Sequence, residues 1–271
     1  MLDHLDTRYH RAFACPTCHA ALTATADGLR CQACGRDYPA TTGYLDFAPA
    51  IAMKSGLGPL YMQDPLHVTR YEPATRDAFL DIMGENWDHD LTPESEDDYL
   101  RTNLSTTDGL VLDLACGAGR WTRTLMRHLG GERVVGLDLS VAMIDLVRTA
   151  LPDLCVVRGT ALSLPFADAS LGAVNCSNAL QLLPDPRDVL VEVGRCLRPG
   201  GLFTAFTFRR ADRPAYRHFQ RRHEETFNVR AFTTVELTTW LTSAGLELVD
   251  LRTPAGMVLL TARRTAEPSP R

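Results

Sequence analysis

Hydrophobic and polar residues alternate in blocks along the second half of the chain. Short apolar runs, typical of buried strands, alternate with segments in which apolar residues recur every three to four positions, typical of helices. The strand-like runs are residues 111–116, 133–139, 154–160, 171–180 and 201–208. The helical segments are residues 119–129, 141–151 and 185–197. This alternation predicts β-α-β crossovers and a parallel sheet that is buried on both faces.

The end of the chain departs from this pattern. After a turn at residues 198–201, a helical segment at 233–245 is followed by two strand-like runs, 246–252 and 256–264. Strands with so short a connection pair antiparallel. The sequence therefore predicts an α/β protein with a seven-stranded, mostly parallel sheet.

The first hundred residues lack the alternation. A turn-rich stretch follows four closely spaced cysteines, and an acidic run, ESEDD at 94–98, lies among helix-forming residues. The predicted parts are a cysteine module at 1–48, a linker with N-terminal helices covering the active site at 49–104, and the α/β domain at 105–271.

Composition excludes several classes of protein. Of 271 residues, 45% are hydrophobic and 23% are charged, as in ordinary globular proteins, and the formal net charge is -5. This charge gives no global sign of nucleic-acid binding. The chain has no apolar run long enough to cross a membrane, and residues 1–13 lack the apolar core of a secretion signal. We therefore expect a cytoplasmic protein without membrane association, either a monomer or a homodimer.

The stretch LVLDLACGAGR (110–120) predicts a strand, a glycine turn and the start of a helix. Gly117 and Gly119 permit a sharp turn and close approach of a ligand to the helix N-terminus. The third glycine of a dinucleotide-binding fingerprint would be residue 122. Threonine occupies that position, which disfavours NAD binding.

An acid ends the next predicted strand. Asp138 lies nineteen residues after Gly119, where a carboxylate can accept hydrogen bonds from both ribose hydroxyls of a nucleoside. The alternative is that Asp138 caps the following helix, which Ser140 could also do. The turn and the spacing favour the ribose role.

Four stretches together resemble the successive motifs of class I S-adenosylmethionine-dependent methyltransferases. They are VLDLACGAGRWT, GLDLSVAMIDLVR, LPFADASLGAVNCSNALQLLPDP and LRPGGLF, in the order found in that family. The resemblance spans residues 72–264, and the whole chain resembles a group from bacteria and plant plastids with a zinc-ribbon-like N-terminus. It implies the Rossmann-like class I fold and the cofactor S-adenosyl-L-methionine, with S-adenosyl-L-homocysteine as product.

The resemblance also implies roles for individual residues. The methionine end would be held by Asp113, Gly117 and Gly119, the ribose by Asp138, and the adenine by Leu139 and Met143. Ala115 would also bind the cofactor. Relatives often have an acid that contacts the adenine amino group where this chain has Thr160, followed by Ala161. The Thr160 hydroxyl and nearby backbone N–H groups would partly replace that acid. Tyr71 and Arg76 lie where relatives reach the cofactor carboxylate; the alternative for both is a helix surface.

The end of the fourth strand bears on the methyl acceptor. An Asn/Asp-Pro-Pro-Tyr/Phe motif there would indicate methylation of a nucleobase amine, and residues 177–180 lack it. Relatives often have histidine at the position of Gln181, and glutamine is no base at neutral pH. Asn178 and Gln181 either orient cofactor or substrate or cap the strand end.

His218 and His223 are the remaining candidates for a catalytic base. They lie in an insertion at 209–232, where such enzymes build a substrate lid. Its arginines are Arg209, Arg210, Arg213, Arg217, Arg221 and Arg222. They would bind phosphate, carboxylate or RNA, or lie on a solvated helix with Tyr216 and Phe219 packed inward and Glu224 and Glu225 balancing part of the charge. We favour the solvated helix.

The spacing Cys-x₂-Cys-x₁₂-Cys-x₂-Cys favours Zn²⁺ bound by four thiolates, with an iron–sulfur cluster as the alternative. The ligands are Cys15, Cys18, Cys31 and Cys34. Four thiolates leave no open position, so the metal would be structural. The module would either recognise RNA, or serve as a small domain that covers the active site or forms a dimer contact. Its few basic residues, Arg30 and Arg36, favour the second role.

These observations predict an S-adenosylmethionine-dependent methyltransferase that acts on a small organic molecule, in specialised metabolite biosynthesis. One alternative is a ribosomal RNA base methyltransferase that uses the zinc ribbon to recognise RNA. Another is a protein that binds the cofactor without methyl transfer.

Overall fold

The computed structural model describes residues 9, 11–41, 43–48, 60–70, 80–82 and 84–266. The described strands are β1 (Leu22–Thr25), β2 (Gly28–Cys31), β3 (Asp37–Thr41), β4 (Tyr44–Asp46), β5 (Leu110–Leu114), β6 (Val134–Asp138), β7 (Cys155–Arg158), β8 (Leu171–Ser177), β9 (Leu197–Phe208), β10 (Leu246–Arg252) and β11 (Met257–Arg264). The described helices are α1 (Pro65–Arg70), α2 (Pro93–Leu104), α3 (Arg120–Leu129), α4 (Val141–Ala150), α5 (Pro186–Cys196), α6 (Pro214–Phe227) and α7 (Thr234–Ser243).

The sheet of the α/β domain has the order β7-β6-β5-β8-β9-β11-β10. Strands β5 to β9 pair parallel, and β11 lies antiparallel between β9 and β10. This is the predicted seven-stranded, mostly parallel sheet of a class I methyltransferase. Because β5, β6 and β8 are parallel neighbours, the loops after them meet at one edge of the sheet.

Two apolar clusters cover the two faces of the sheet. Leu112 and Leu114 lie in one cluster and Val111 in the other, as expected for alternate residues of one strand. Every residue of β8 is buried. The continuous apolar runs in the sequence reflect this burial on both faces.

The N-terminal module extends the same sheet. Strands β1 to β4 form an antiparallel meander, and β4 then pairs parallel with β7, with Leu45 opposite Val157. Phe13 and Phe47 belong to the same apolar cluster as Phe166 of the α/β domain. The module at 1–48 therefore shares both sheet and core with the α/β domain, a connection that the sequence analysis did not foresee.

The predicted turn at 198–201 needs a correction. Strand β9 begins at Leu197, and residues 198–201 lie within it. Gly200 has a φ of 78°, and the pairing with β8 shifts register between Leu171 and Ala173. The turn residues thus form an irregularity inside the strand.

Residues at its own N-terminus stabilise helix α2. Thr92 and Ser95 form a reciprocal capping box, and Pro93 occupies the first turn.

Within the described part of the chain, no helix combines the length and apolarity needed to span a bilayer.

Candidate active site

The carboxyl ends of β5 and β6 are joined by one carboxylate. Asp138 Oδ2 accepts the backbone N–H of Gly117 at 2.9 Å, and Oδ1 accepts the backbone N–H of Ser140 at 2.8 Å. Burial raises the pKa of Asp138, and these N–H donors oppose that shift. Ser140 is itself the cap of α4, since its hydroxyl oxygen accepts the Met143 N–H. Each Asp138 oxygen keeps a lone pair for a further donor, such as a ribose hydroxyl.

The two glycines of the turn have different surroundings. Gly117 has a φ of 54°, and a Cβ there would meet only the Met143 sulfur, at 3.9 Å. Gly119 has a φ of 88°, and a Cβ there would lie 2.7 Å from Val147 Cγ2. Gly117 therefore leaves open space in which a ligand can approach the backbone, whereas Gly119 allows α3 to pack closely against α4. Ala115, before them, also has a positive φ, of 55°.

Asp113 is 2% exposed and lies at the end of β5, just before the glycine turn at 117–119. Its Oδ1 accepts a hydrogen bond from Asn175 Nδ2 at 2.7 Å, and its Oδ2 accepts one from the Thr122 hydroxyl. Burial raises the pKa of Asp113 to about 6, against the lowering effect of these two bonds. The described contacts give Asp113 a role in joining β5, β8 and α3. Its contact with the methionine end of a cofactor stays a prediction.

Helix α3 begins at the turn without a side-chain cap. Arg120 in its first turn donates to Asp97 Oδ1 at 2.7 Å and to Glu96 Oε2 at 3.3 Å, and Thr124 also donates to Asp97 at 2.9 Å. Helix α2 is thereby fixed beside the glycine turn. The acidic run at 94–98 is visible in the sequence, but its partner Arg120 is not, because the two lie on separate helices.

The predicted adenine residues lie on the loops after β6 and β7 and, for Met143, in the first turn of α4. The Gly159 N–H donates to the Asp138 carbonyl at 3.0 Å, which brings these loops together. Thr160 Oγ1 accepts the Leu162 N–H at 3.3 Å, so its hydroxyl stabilises its own loop. Met143 and Ala161 are buried, and Leu139 is half-buried. Their contact with an adenine ring stays a prediction.

A buried amide network closes the end of β8. Gln181 is 4% exposed; its Nε2 donates to the Asn178 side-chain Oδ1 at 2.8 Å, and its Oε1 accepts the Thr207 hydroxyl at 2.9 Å. Asn178 has a left-handed backbone with a φ of 53°. Because Asn178 Oδ1 is an acceptor, its Nδ2 group remains as a donor. Gln181 thus holds the Asn178 side chain at the end of β8. A role of either residue in orienting cofactor or substrate stays a prediction.

Helix α6 occupies the predicted lid insertion. Its predicted inward-facing residue Phe219 is 61% exposed, so that expectation was wrong; Gln220 is the buried residue of this helix. His218 is exposed, and His223 is half-buried with its ring 4.8 Å from that of Phe227. Burial lowers the pKa of His223, which Glu224 opposes. The role of either histidine as a catalytic base stays a prediction.

Most of the insertion's arginines pair with acids. Arg217 binds Glu224 at 2.9 Å, Arg210 binds Glu236 at 3.2 Å, and Arg222 binds Glu225 at 3.1 Å. Arg209 binds Asp212. These pairs agree with the favoured solvated helix. Tyr71 and Arg76 lie outside the described residues.

The four module cysteines converge on one point. Cys15 and Cys34 sulfurs lie 3.7 Å apart, those of Cys18 and Cys31 lie 3.4 Å apart, and all four are within 4.8 Å of one another. Tetrahedral zinc with Zn–S bonds of about 2.3 Å needs S···S distances of roughly 3.8 Å. The residues present therefore fit a four-thiolate zinc ion. Burial raises the pKa of Cys15, but hydrogen bonds led by the one from Tyr38 outweigh it and lower the pKa to about 6.

Part of the α/β domain matches a known protein family, and the chain has similar relatives. Residues 112–205 match the family described as methyltransferase domain. An uncharacterized chloroplastic methyltransferase of Arabidopsis thaliana is 29% identical over 73% of this chain and 62% of its own length. Demethylmenaquinone methyltransferase of Lactiplantibacillus plantarum is 35% identical over 38% of this chain and 47% of its own length. The chain thus spans about half to three fifths of these two relatives.

A solved structure shares the fold. Geranyl diphosphate C-methyltransferase from Streptomyces coelicolor A3(2), in complex with Mg²⁺, geranyl-S-thiolodiphosphate and S-adenosyl-L-homocysteine, aligns with a TM-score of 0.57. It covers 64% of this chain and 76% of its own, at 18% identity. At this identity the comparison shows a common fold.

Proposed function

We propose, from the premise that this chain carries a class I S-adenosylmethionine-dependent methyltransferase domain, that it transfers the cofactor's methyl group to a small organic molecule. The observation that carries the proposal is the bond between Asp138 and Gly117 beside open space. A nucleoside that binds Asp138 through its ribose lies directly against the glycine turn. Its methionine end then reaches the N-terminus of α3, where backbone N–H groups attract a carboxylate.

The chemistry asks little of the protein. S-adenosylmethionine brings an activated methyl group, and the protein aligns the acceptor in line with the S–CH₃ bond and excludes water. Asn178, held by Gln181, supplies an amide donor at the end of β8. Since neither side chain is a base, we propose an acceptor that ionises readily or is nucleophilic without deprotonation. His218 and His223 of α6 remain the candidate bases.

The pairing of basic residues with acids supports a small-molecule acceptor rather than RNA. The arginines of the insertion at 209–232 are largely neutralised by neighbouring acids, and Arg30 of the module pairs with Asp37 at 2.7 Å. RNA binding needs a basic face with uncompensated charge. The relative that acts on demethylmenaquinone and the structural neighbour that acts on geranyl diphosphate, according to their names, also point to small substrates.

We further propose that the cysteine cluster binds one structural zinc ion. A closed thiolate site would stabilise the module in a reducing compartment. We propose a cytoplasmic location for that reason; the name of the plant relative assigns that protein to the chloroplast.

Calorimetry with S-adenosyl-L-homocysteine tests the cofactor proposal. Micromolar binding is expected, and no binding would refute it. Turnover of labelled S-adenosylmethionine over a panel of quinols, phenols, prenyl compounds and thiols then tests the acceptor class. Binding without turnover of any acceptor would favour the alternative of a cofactor-binding protein. Copurification with RNA that weakens steeply with salt would favour the RNA alternative.

A further inference from the structure

One arginine connects the N-terminal module to the loop after β6. Arg158, at the end of β7, donates from Nη1 to Asp46 Oδ2 at 3.0 Å and to the Ala48 carbonyl at 3.0 Å. Its Nε donates to the Leu139 carbonyl at 3.1 Å. The guanidinium thus bridges the last strand of the module and the residue that directly follows Asp138.

A second contact joins the module to the loop after β7. The Ala14 N–H donates to the Pro165 carbonyl at 3.1 Å, and the Ala167 N–H donates to the Ala12 carbonyl at 2.8 Å. The Ser163 hydroxyl donates to the carbonyl of Pro16, the residue after Cys15. This loop carries Thr160 and Ala161. The module therefore contacts both loops that flank the predicted adenine position.

The bridge is shielded from water. The side chain of Arg158 is 15% exposed and that of Asp46 is 10% exposed. A buried pair of this kind is weakly screened, and neither partner can be removed without leaving a charge uncompensated. The planar guanidinium also holds its donors at fixed angles, so Arg158 fixes the Leu139 carbonyl relative to Asp46.

Leu139 lies in the short connection between β6 and α4, directly after the proposed ribose acceptor. Residues 138–140 form a short connection in which Asp138 accepts the Ser140 N–H at 2.8 Å and the Gly117 N–H at 2.9 Å. A rotation of the Leu139 peptide would displace the Asp138 carboxylate from the orientation that a ribose requires. A binding group must be held to within a fraction of an ångström by its supporting contacts.

We propose that Arg158 is a positioning residue for the nucleoside half of the cofactor, and that the N-terminal module acts through it as a part of the cofactor site. This inference rests on the proposed function, since it assumes that Asp138 binds the ribose. It assigns the module a role in cofactor binding instead of RNA recognition.

The test is Arg158→Lys in the full-length, metal-loaded protein. Lysine keeps the positive charge beside Asp46, but its single ammonium group cannot reach both Asp46 and the Leu139 carbonyl in the geometry of a guanidinium. Calorimetry is expected to show that the dissociation constant of S-adenosyl-L-homocysteine rises by about tenfold. That of 5′-methylthioadenosine, which lacks the amino acid, should rise by a similar factor.

Arg133→Lys is the matched control. Arg133 also holds backbone carbonyls, those of Gly109 at 3.0 Å, Thr107 at 2.6 Å and Leu129 at 3.3 Å, but it lies at the amino ends of β5 and β6. Both ligands should bind this variant as they bind the parent protein. Asp46→Asn, which removes the partner charge from the module side, should weaken both ligands in the same direction as Arg158→Lys.

Each result has a clear meaning. Unchanged affinities in Arg158→Lys, with the parent protein binding normally, would overturn this inference and leave the proposed function intact. Weakening of S-adenosyl-L-homocysteine without weakening of 5′-methylthioadenosine would overturn it as well. If the parent protein itself binds neither ligand, the proposed function fails, and this inference fails with it.

Discussion

The Asp138 carboxylate accepts the backbone N–H of Gly117 at 2.9 Å, across the gap between two parallel strands. One group therefore sets the distance between the glycine turn and the strand end where the nucleoside is proposed to bind. A hydrogen bond to a charged group contributes about 1.5–3 kcal/mol when it is buried. Both loops depend on this acid.

Asp138→Ala is expected to weaken S-adenosyl-L-homocysteine binding by more than about tenfold, because it removes the proposed ribose acceptor and the support of the turn. Isothermal titration calorimetry measures this effect. Asp145→Ala is the control, since that exposed acid lies on α4 beside Arg148. Equal affinity of Asp138→Ala and the parent protein would contradict the ribose assignment.

The two glycines should separate binding from stability. Gly119→Ala places a Cβ 2.7 Å from Val147 Cγ2 and 3.1 Å from Leu151 Cδ1, at a left-handed φ, and should lower the free energy of unfolding by about 2 kcal/mol or more. Gly117→Ala meets no such contact and should cost about 1 kcal/mol, while its methyl group occupies the proposed ligand space. Denaturant unfolding and calorimetry are compared for both. A larger stability loss in Gly117→Ala would contradict these assignments.

The buried Asp113 predicts a pH dependence of stability. Its pKa of about 6 in the folded protein exceeds the value of about 3.9 in an unfolded chain, so the folded state holds the proton more tightly. The stability from this group is full below about pH 4 and is lost as the pH rises through 6, by up to about 3 kcal/mol. The free energy of unfolding of the parent protein, minus that of Asp113→Asn, should fall between pH 4 and pH 7. A difference that is flat or rises would disprove the raised pKa.

The zinc site can be tested by metal content. The parent protein should contain one zinc ion per chain, and Cys18→Ser and Cys34→Ser should lose it, since each removes one of four converging thiolates from an exposed position. Inductively coupled plasma mass spectrometry measures the zinc. Cys155→Ser, outside the cluster, should retain the metal. Full zinc content in both cluster variants would exclude the proposed ligand set.

Gln181→Ala should reduce cofactor affinity as well as stability. The change leaves Asn178 Oδ1 and the buried Thr207 hydroxyl without their partner, at a cost of about 1–3 kcal/mol. Gln220→Ala is the matched control. Gln220 is 5% exposed, accepts the Ala211 N–H and donates to the Arg209 carbonyl, within the insertion at 209–232. Both variants should melt earlier, but only Gln181→Ala should weaken S-adenosyl-L-homocysteine. Identical affinities in the two variants would argue against a role for Gln181 in orienting Asn178.

Much of the fold was predictable because its signals are local. The alternation of apolar runs and helical segments follows from burial on both faces of a parallel sheet, and the structure has each predicted strand of the α/β domain within a few residues of its expected place. The glycine turn and Asp138 were recognisable for the same reason: a sharp turn and a strand end are properties of neighbouring residues. The cysteine spacing likewise specifies two tight turns that face each other.

The site's supports were not predictable, because they join residues that are distant in sequence. Periodicity shows which face of a segment is buried but not what covers it. Asp97 of α2 lies 23 residues before its partner Arg120, and Asp46 lies 112 residues before its partner Arg158. The outward position of Phe219 has the same origin, since the rotation of α6 is set by Gln220 and its partners.

The sequence by itself determined the α/β class, the glycine turn, the acid at the end of β6 and the four-cysteine cluster, since each depends on the conformations of adjacent residues. Only the tertiary structure decided that the N-terminal module continues the sheet through β4 and touches the loops beside Asp138. Strand pairing and buried ion pairs are formed between whichever edges the packed core brings together, and that arrangement is a property of the complete chain.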